Sequence, residues 1–178
     1  MKKNNSISLV DGSGFIFRAY YALPSLTNKN GTPVGAVMGF CNMLFKLLEE
    51  KKSNKIIVIF DTARKTFRNT IYNKYKANRG EPPEDLIPQF ELIRKAVDAF
   101  NLSRLELSGY EADDLIASYA KFFSEKGWDI SIVSSDKDLM QLVNDQVQML
   151  DPIKNKLIKR QDAIEKFGVP PEKVIDVQ

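Results

Sequence analysis

Four short apolar runs in this chain each lead into carboxylates. Ile7-Ser8-Leu9-Val10 runs into Asp11, and Ile56-Ile57-Val58-Ile59-Phe60 runs into Asp61. Leu105-Glu106-Leu107 leads to Glu111, Asp113 and Asp114, and Ile130-Ser131-Ile132-Val133 leads to Asp136 and Asp138. Runs this short, and mostly rich in β-branched residues, read as buried strands rather than helices. Between them the apolar residues recur at helical spacing, as in Val37, Phe40, Met43, Leu44, Leu47 and Leu48 across 35–51. Further helices are expected over 86–100 and 111–125, the latter opened by a capping box over Ser108-Gly109-Tyr110-Glu111. Shorter elements follow: a helix at 137–143, strands at 146–150 and 156–159, and a helix over 160–167. The opening of another helix is expected at 172–178. Gly12-Ser13-Gly14 is expected to make a tight exit from the first strand, and residues 24–34, with Pro24, Asn28, Asn30, Gly31 and Pro33, form a loop.

Alternating strands and helices predict a doubly wound α/β fold. In an open parallel sheet, ligands bind beyond the carboxyl ends of the strands. The seven acids would then meet at one edge, where they cannot all stay ionised without cations. Hard divalent ions with oxygen ligands, Mg²⁺ above all, answer that need. Each acid taken singly also fits a local role. Asp11 and Asp61 suit turns or caps, Glu111 suits the capping box, and Asp136 suits the N-cap of the next helix. Lys137 could simply neutralise its two neighbours.

Composition narrows the chemistry. There is no histidine, so histidine general bases, catalytic triads and histidine-ligated zinc are excluded. The one cysteine, Cys41, excludes a disulfide framework and suits a small core residue in a reducing compartment. Met1-Lys2-Lys3 lacks the apolar stretch of a signal peptide behind it, and no run approaches a membrane span. A cytoplasmic location is expected.

A net charge of +3 says little, but its distribution says more. From Arg64 to Gly80 the chain holds Arg64, Lys65, Arg68, Lys74, Lys76 and Arg79, with Phe67, Tyr72 and Tyr75 interleaved and no acid. Basic groups track a phosphate backbone, and aromatic rings offer stacking faces to unpaired bases. A solvated basic helix with its aromatics on the core is the plainer reading. Acidic and basic groups become compatible if carboxylates hold ions, ions hold a phosphate, and basic residues neutralise the flanking phosphates.

These elements also occur together in a known order. Val10-Asp11-Gly12 with Phe17-Arg18-Ala19-Tyr20-Tyr21, Phe60-Asp61, and Tyr75-Lys76-Ala77-Asn78-Arg79 come first. Gly109-Tyr110-Glu111-Ala112-Asp113-Asp114 and Ser135-Asp136-Lys137-Asp138-Leu139 follow. The set resembles the 5′-nuclease domains of bacterial DNA polymerase I, within the flap endonuclease family. The resemblance implies a PIN-like (resolvase-like) α/β fold, a mainly parallel sheet with helices on both faces and a basic helical arch. It implies two Mg²⁺ ions, with Mn²⁺ able to substitute, and cleavage of DNA at 5′ ends, flaps and primers in replication and repair.

Carried over residue by residue, Asp11, Asp61, Glu111, Asp113 and Asp114 serve a first metal, and Asp136 and Asp138 part of a second. Lys76 and Arg79 contact the scissile phosphate. Arg18, Tyr20, Arg68, Tyr72, Lys74 and Tyr75 fall to DNA binding. The family's Gly-Asp-x-x-Asp element and helix-hairpin-helix are missing from the sequence. The chain is therefore expected to be a fragment of a longer polypeptide carrying polymerase domains, with an incomplete second site and weak or no activity. A DNA-binding module without catalysis and a PIN-type ribonuclease are the competing readings.

Overall fold

The structure, a computed structural model, describes residues 5–50, 55–62, 65–78 and 80–177. Arg64 and Arg79, both singled out above, lie outside the described residues.

Six strands form one sheet in the order β3-β2-β1-β4-β5-β6. They are β1 (Ser6–Asp11), β2 (Lys55–Ile59), β3 (Ser103–Leu105), β4 (Asp129–Val133), β5 (Val147–Asp151) and β6 (Lys156–Ile158). All neighbours are parallel except β5 and β6, which pair as an antiparallel hairpin. The order reverses between β1 and β4: successive strands run outward from β1 on one side and from β4 on the other. That junction is the switch point at which open sheets bind ligands.

Strand residues alternate between two helical layers, as a period of two requires. Ile7 and Leu9 of β1, with Ile130 and Ile132 of β4, face α5 (Ala112–Ser124), α6 (Arg160–Phe167) and the 3₁₀ turn Lys137–Leu142. Val10, Val58, Phe60 and Val133 face the other way. There they meet α1 (Gly12–Ala22), α2 (Gly35–Glu49) and α4 (Ile87–Ala99). Burial on both faces is why the central strands read as nearly continuous apolar runs, with Ser8 and Ser131 buried among them. The long crossover from edge strand β3 back to β4 is made by α5, and it sets the N-terminus of α5 beside the ends of β1 and β2.

Three expectations are corrected. Gly12-Ser13-Gly14 is not a tight turn out of the strand, because α1 begins at Gly12 with Asp11 as its N-cap. A Cβ on Gly12 would sit 2.6 Å from the Phe60 ring, and one on Gly14 would collide with the Asp11 carboxylate. Here glycine permits close packing at a helix start rather than breaking the helix. The third strand lies at Ser103–Leu105, two residues earlier than expected, which leaves Leu107 exposed. The capping box of α5 is shifted too. Glu111 is the N-cap and its N–H donates to Asp114 Oδ2 at 2.9 Å, while Gly109 turns the chain with φ 87°.

Phe40 on α2 is fully buried between Phe15 and Phe60, each 6.1 Å away between ring centres. Phe40→Ala is expected to cost about 3–5 kcal/mol, read as a lowered urea midpoint with an unchanged m-value.

Candidate metal and nucleic-acid site

The C-terminal ends of β1, β2 and β4 lie side by side, with Asp11 opposite Ile59 and Val10 opposite Val133. Asp11 is buried and fully oriented. Its Oδ1 accepts the Gly14 N–H at 2.7 Å and its Oδ2 accepts the Ser134 hydroxyl at 2.9 Å. Asp61, one residue beyond Phe60, is exposed and accepts the Ala112 N–H at 2.7 Å, at the opening of α5. Its own N–H donates to Ser13 Oγ. Asp136 lies past β4, and its N–H donates to Ser134 Oγ at 3.0 Å. Asp113, in the first turn of α5, completes the group.

The charges of these four acids bear on one another. Burial pushes the Asp113 carboxyl up to about 7, with added repulsion from Asp11, Asp136 and Asp61 against a smaller pull from Lys76. Asp11 is also raised, first by burial and further by repulsion from Asp61 and Asp136, while its bonds from Gly14 and Ser134 oppose the rise. Buried like charges disfavour joint ionisation. Carboxylate oxygens whose repulsion a cation would relieve are a donor set that fits a hard divalent ion. Among the described residues, no three acids already stand in metal-holding geometry.

The other predicted acids are placed differently. Asp138 is exposed, and its N–H donates to Asp136 Oδ1 at 2.9 Å. Glu111 is nearly buried, and its Oε2 lies 2.9 Å from Lys76 Nζ and 3.3 Å from the Tyr75 hydroxyl. Both oxygens of Asp114 are taken by Arg68 in a two-pronged pair at 2.7 Å.

The basic segment therefore docks on the N-terminus of α5. Its helical part, α3, is only Phe67–Ile71, and turns span residues 73–78. The Phe67 N–H donates to the Gly109 carbonyl at 2.9 Å, and the Phe67 ring packs on Tyr110 at 5.5 Å. Lys76 has φ 52°, a left-handed conformation that costs energy for a residue other than glycine. Lys74 and Tyr72 are exposed. A cleft of about 970 Å³ opens between this segment and the sheet edge, lined by Ser13, Phe17, Asp61, Lys65, Tyr75 and Lys76 among others. Arg18 is half-buried on α1. Tyr20 is not in this cleft: its hydroxyl donates to Asp85 at 2.7 Å beside a separate cavity of about 320 Å³.

Three contributors escape a reading of the sequence. Ser134 ties Asp11 to the Asp136 backbone, and Ser13 holds the Asp61 backbone. Serine next to each acidic element was the available signal. Arg94 on α4 bonds the Asp61 carbonyl, pairs with Glu106 and lies over the Phe60 ring. Only tertiary packing brings it there.

An acidic crevice at the switch point of a mostly parallel sheet, overhung by a basic aromatic segment, defines a resolvase-like α/β domain. The chain belongs to the family described as 5′-3′ exonuclease, N-terminal resolvase-like domain, whose model matches residues 6–168. It is 58% identical to DNA polymerase I of Rhizobium leguminosarum over all of its own length and 18% of that protein. It is 40% identical to a 5′-3′ exonuclease of Aquifex aeolicus, over 96% of this chain and 59% of that one. The chain thus spans less than two thirds of these relatives. In fold it resembles bacteriophage T5 5′-exonuclease with bound divalent zinc ions, at a TM-score of 0.74 and 22% identity, over 96% of this chain and 64% of that one. A T5 flap endonuclease in complex with DNA and metal ions matches at 0.73 and 22% identity, with the same coverage.

Asp113 binds its proton more tightly in the folded than in the unfolded chain. Its contribution to stability therefore falls as pH rises from its unshifted value of 3.8 to about 7. In metal-free buffer, Asp113→Asn should stabilise the protein at pH 7.5 by on the order of 1–3 kcal/mol and have little effect at pH 4. Urea unfolding in EDTA at the two pH values measures this.

Proposed function

We propose that this chain is a divalent-metal-dependent 5′-nuclease domain. It hydrolyses phosphodiester bonds at 5′ ends or flaps of DNA, as a 5′–3′ exonuclease and flap endonuclease. Mg²⁺ is its physiological ion, with Mn²⁺ able to replace it, and its parent carries polymerase domains. The observation that carries this reading is that the start of α5 meets both sets of groups: Ala112 bonds Asp61, Asp113 feels Asp11, Asp61 and Asp136, and Glu111 pairs with Lys76. Family membership supports it.

Asp11, Asp61, Asp113 and Asp136 would hold the ion, with Glu111 and Asp138 at the margin. A cation bound there would activate water and offset charge on the scissile phosphate. The chain's own groups do the rest. Ser134 and the Gly14 N–H hold Asp11 in one orientation before anything binds, so no reorganisation is needed at that point. Lys76 brings a positive charge to the rim of the crevice, where a phosphate would compete with Glu111 for its ammonium. Arg79 is proposed to act with it. Lys65, Lys74 and Arg18 would attract flanking phosphates, and Tyr72 and Tyr75 would stack on unpaired bases. With no histidine in the chain, proton transfer must be managed by carboxylate, lysine or solvent.

The test uses a 5′-flap DNA duplex with Mg²⁺ or Mn²⁺. Cleavage should require the metal and stop with EDTA. Asp113→Asn should lower kcat roughly 10²-fold or more. Lys76→Ala should weaken flap binding and reduce the salt slope of log K by about one per lost phosphate contact. Cleavage that persists in EDTA, or that Asp113→Asn leaves unchanged, would sink the reading.

A further inference from the structure

The adjacent aspartates of α5 do different things. Asp113 looks into the acidic crevice, where Asp11, Asp61 and Asp136 act on it. Asp114 looks away from it. Its Oδ1 and Oδ2 accept Arg68 Nη2 and Nη1 at 2.7 Å each, and Oδ2 also accepts the Glu111 N–H at 2.9 Å. A carboxylate has about four lone-pair sites, and three of those on Asp114 are already engaged. The guanidinium lies over Phe67 at 4.7 Å and near Tyr75 at 5.8 Å, so rings hold it as well as charge. A fork-shaped cation matched to both carboxylate oxygens is a stronger and more directional contact than a point charge.

The contact reaches Lys76 through a short chain of bonds. Arg68 sits in α3 beside Asn69, whose Oδ1 accepts the Thr66 N–H at 2.9 Å. The Asn69 side-chain amide donates to the Tyr75 carbonyl at 3.2 Å, which fixes the turn that carries Lys76. Lys76 then meets Glu111. Arg68 and Lys76 are thus both tied to the start of α5.

We propose that Asp114 is a positioning residue and not a metal donor. Through Arg68 it anchors the basic segment to α5, and so sets where Lys76 stands over the crevice. Two neighbouring aspartates that look equivalent in the sequence would then serve opposite partners, one a cation in the crevice and the other an arginine of its own chain. The part of this inference that concerns substrate rests on the nuclease reading; the anchor itself does not.

The experiment is a double-mutant cycle in the full chain, with Arg68→Gln, Asp114→Asn and both together, and Asp113→Asn as comparator. Tryptic cleavage after Lys65 and Lys74, sites present in every variant, reports docking of the segment without DNA or metal. Each single variant should speed that cleavage roughly tenfold or more, and the double should speed it no further, because one bond is lost in all three. Mn²⁺ affinity, read by electron paramagnetic resonance, should stay within about twofold in Asp114→Asn and fall about tenfold or more in Asp113→Asn. On 5′-flap DNA, Arg68→Gln and Asp114→Asn should raise KM with kcat retained, whereas Asp113→Asn should lower kcat. Additive effects in the double variant, or loss of Mn²⁺ from Asp114→Asn as severe as from Asp113→Asn, would overturn the assignment. If the wild type neither binds Mn²⁺ nor cuts the flap, the nuclease reading fails, while the tryptic cycle still decides the anchor.

Discussion

Repulsion among carboxylates at the ends of three adjacent parallel strands is the constraint around which this molecule is arranged. Asp11, Asp61, Asp113 and Asp136 occupy one space, and burial raises the cost of ionising Asp11 and Asp113 there. Every neighbouring feature answers that cost. Ser134 and the Gly14 N–H bond Asp11, and the N-terminus of α5 receives Asp61. Lys76 contributes a modest opposing charge. What these groups leave uncompensated is the demand that a divalent cation would meet.

The fold concentrates the charges by topology. Because strand order reverses between β1 and β4, the connections leave those two strand ends in opposite directions and open a crevice between them. The crossover helix α5 then brings a second set of acids from the far side of the sheet. Its first turn is pulled two ways, toward the crevice through Asp113 and toward the basic segment through Glu111 and Asp114. The result couples the two halves of the site. Groups suited to a cation and groups suited to phosphate share one helix turn, so neither can shift without the other.

The strands that lead to Asp11, Asp61 and Asp136 were legible because burial on both faces leaves a nearly continuous apolar run, and the acids that follow then mark the strand ends. The two glycines after Asp11 were misread. A local reading takes Gly12 and Gly14 as a turn, yet they are small because Phe60 and the Asp11 carboxylate press against them. The capping of α5 was misread for a similar reason. Ser108 offers a good local cap, but Phe67 bonds the Gly109 carbonyl and Arg68 holds Asp114, and the helix starts later. In both cases a contact between residues distant in the chain overrode a local preference.

The sequence alone determined the α/β class, the acids and their attachment to strand ends, and the segment in which basic and aromatic residues alternate without an acid. These are encoded locally, in apolar period and residue type. Only the tertiary structure decided how the acids divide: which of them repel one another, and which already pair with Arg68 or Lys76. It also recruited Ser134, Ser13 and Arg94, whose importance comes from what lies across from them rather than beside them in the chain. The physical reason is that pairing and desolvation depend on distances between strand ends, and sheet order sets those distances.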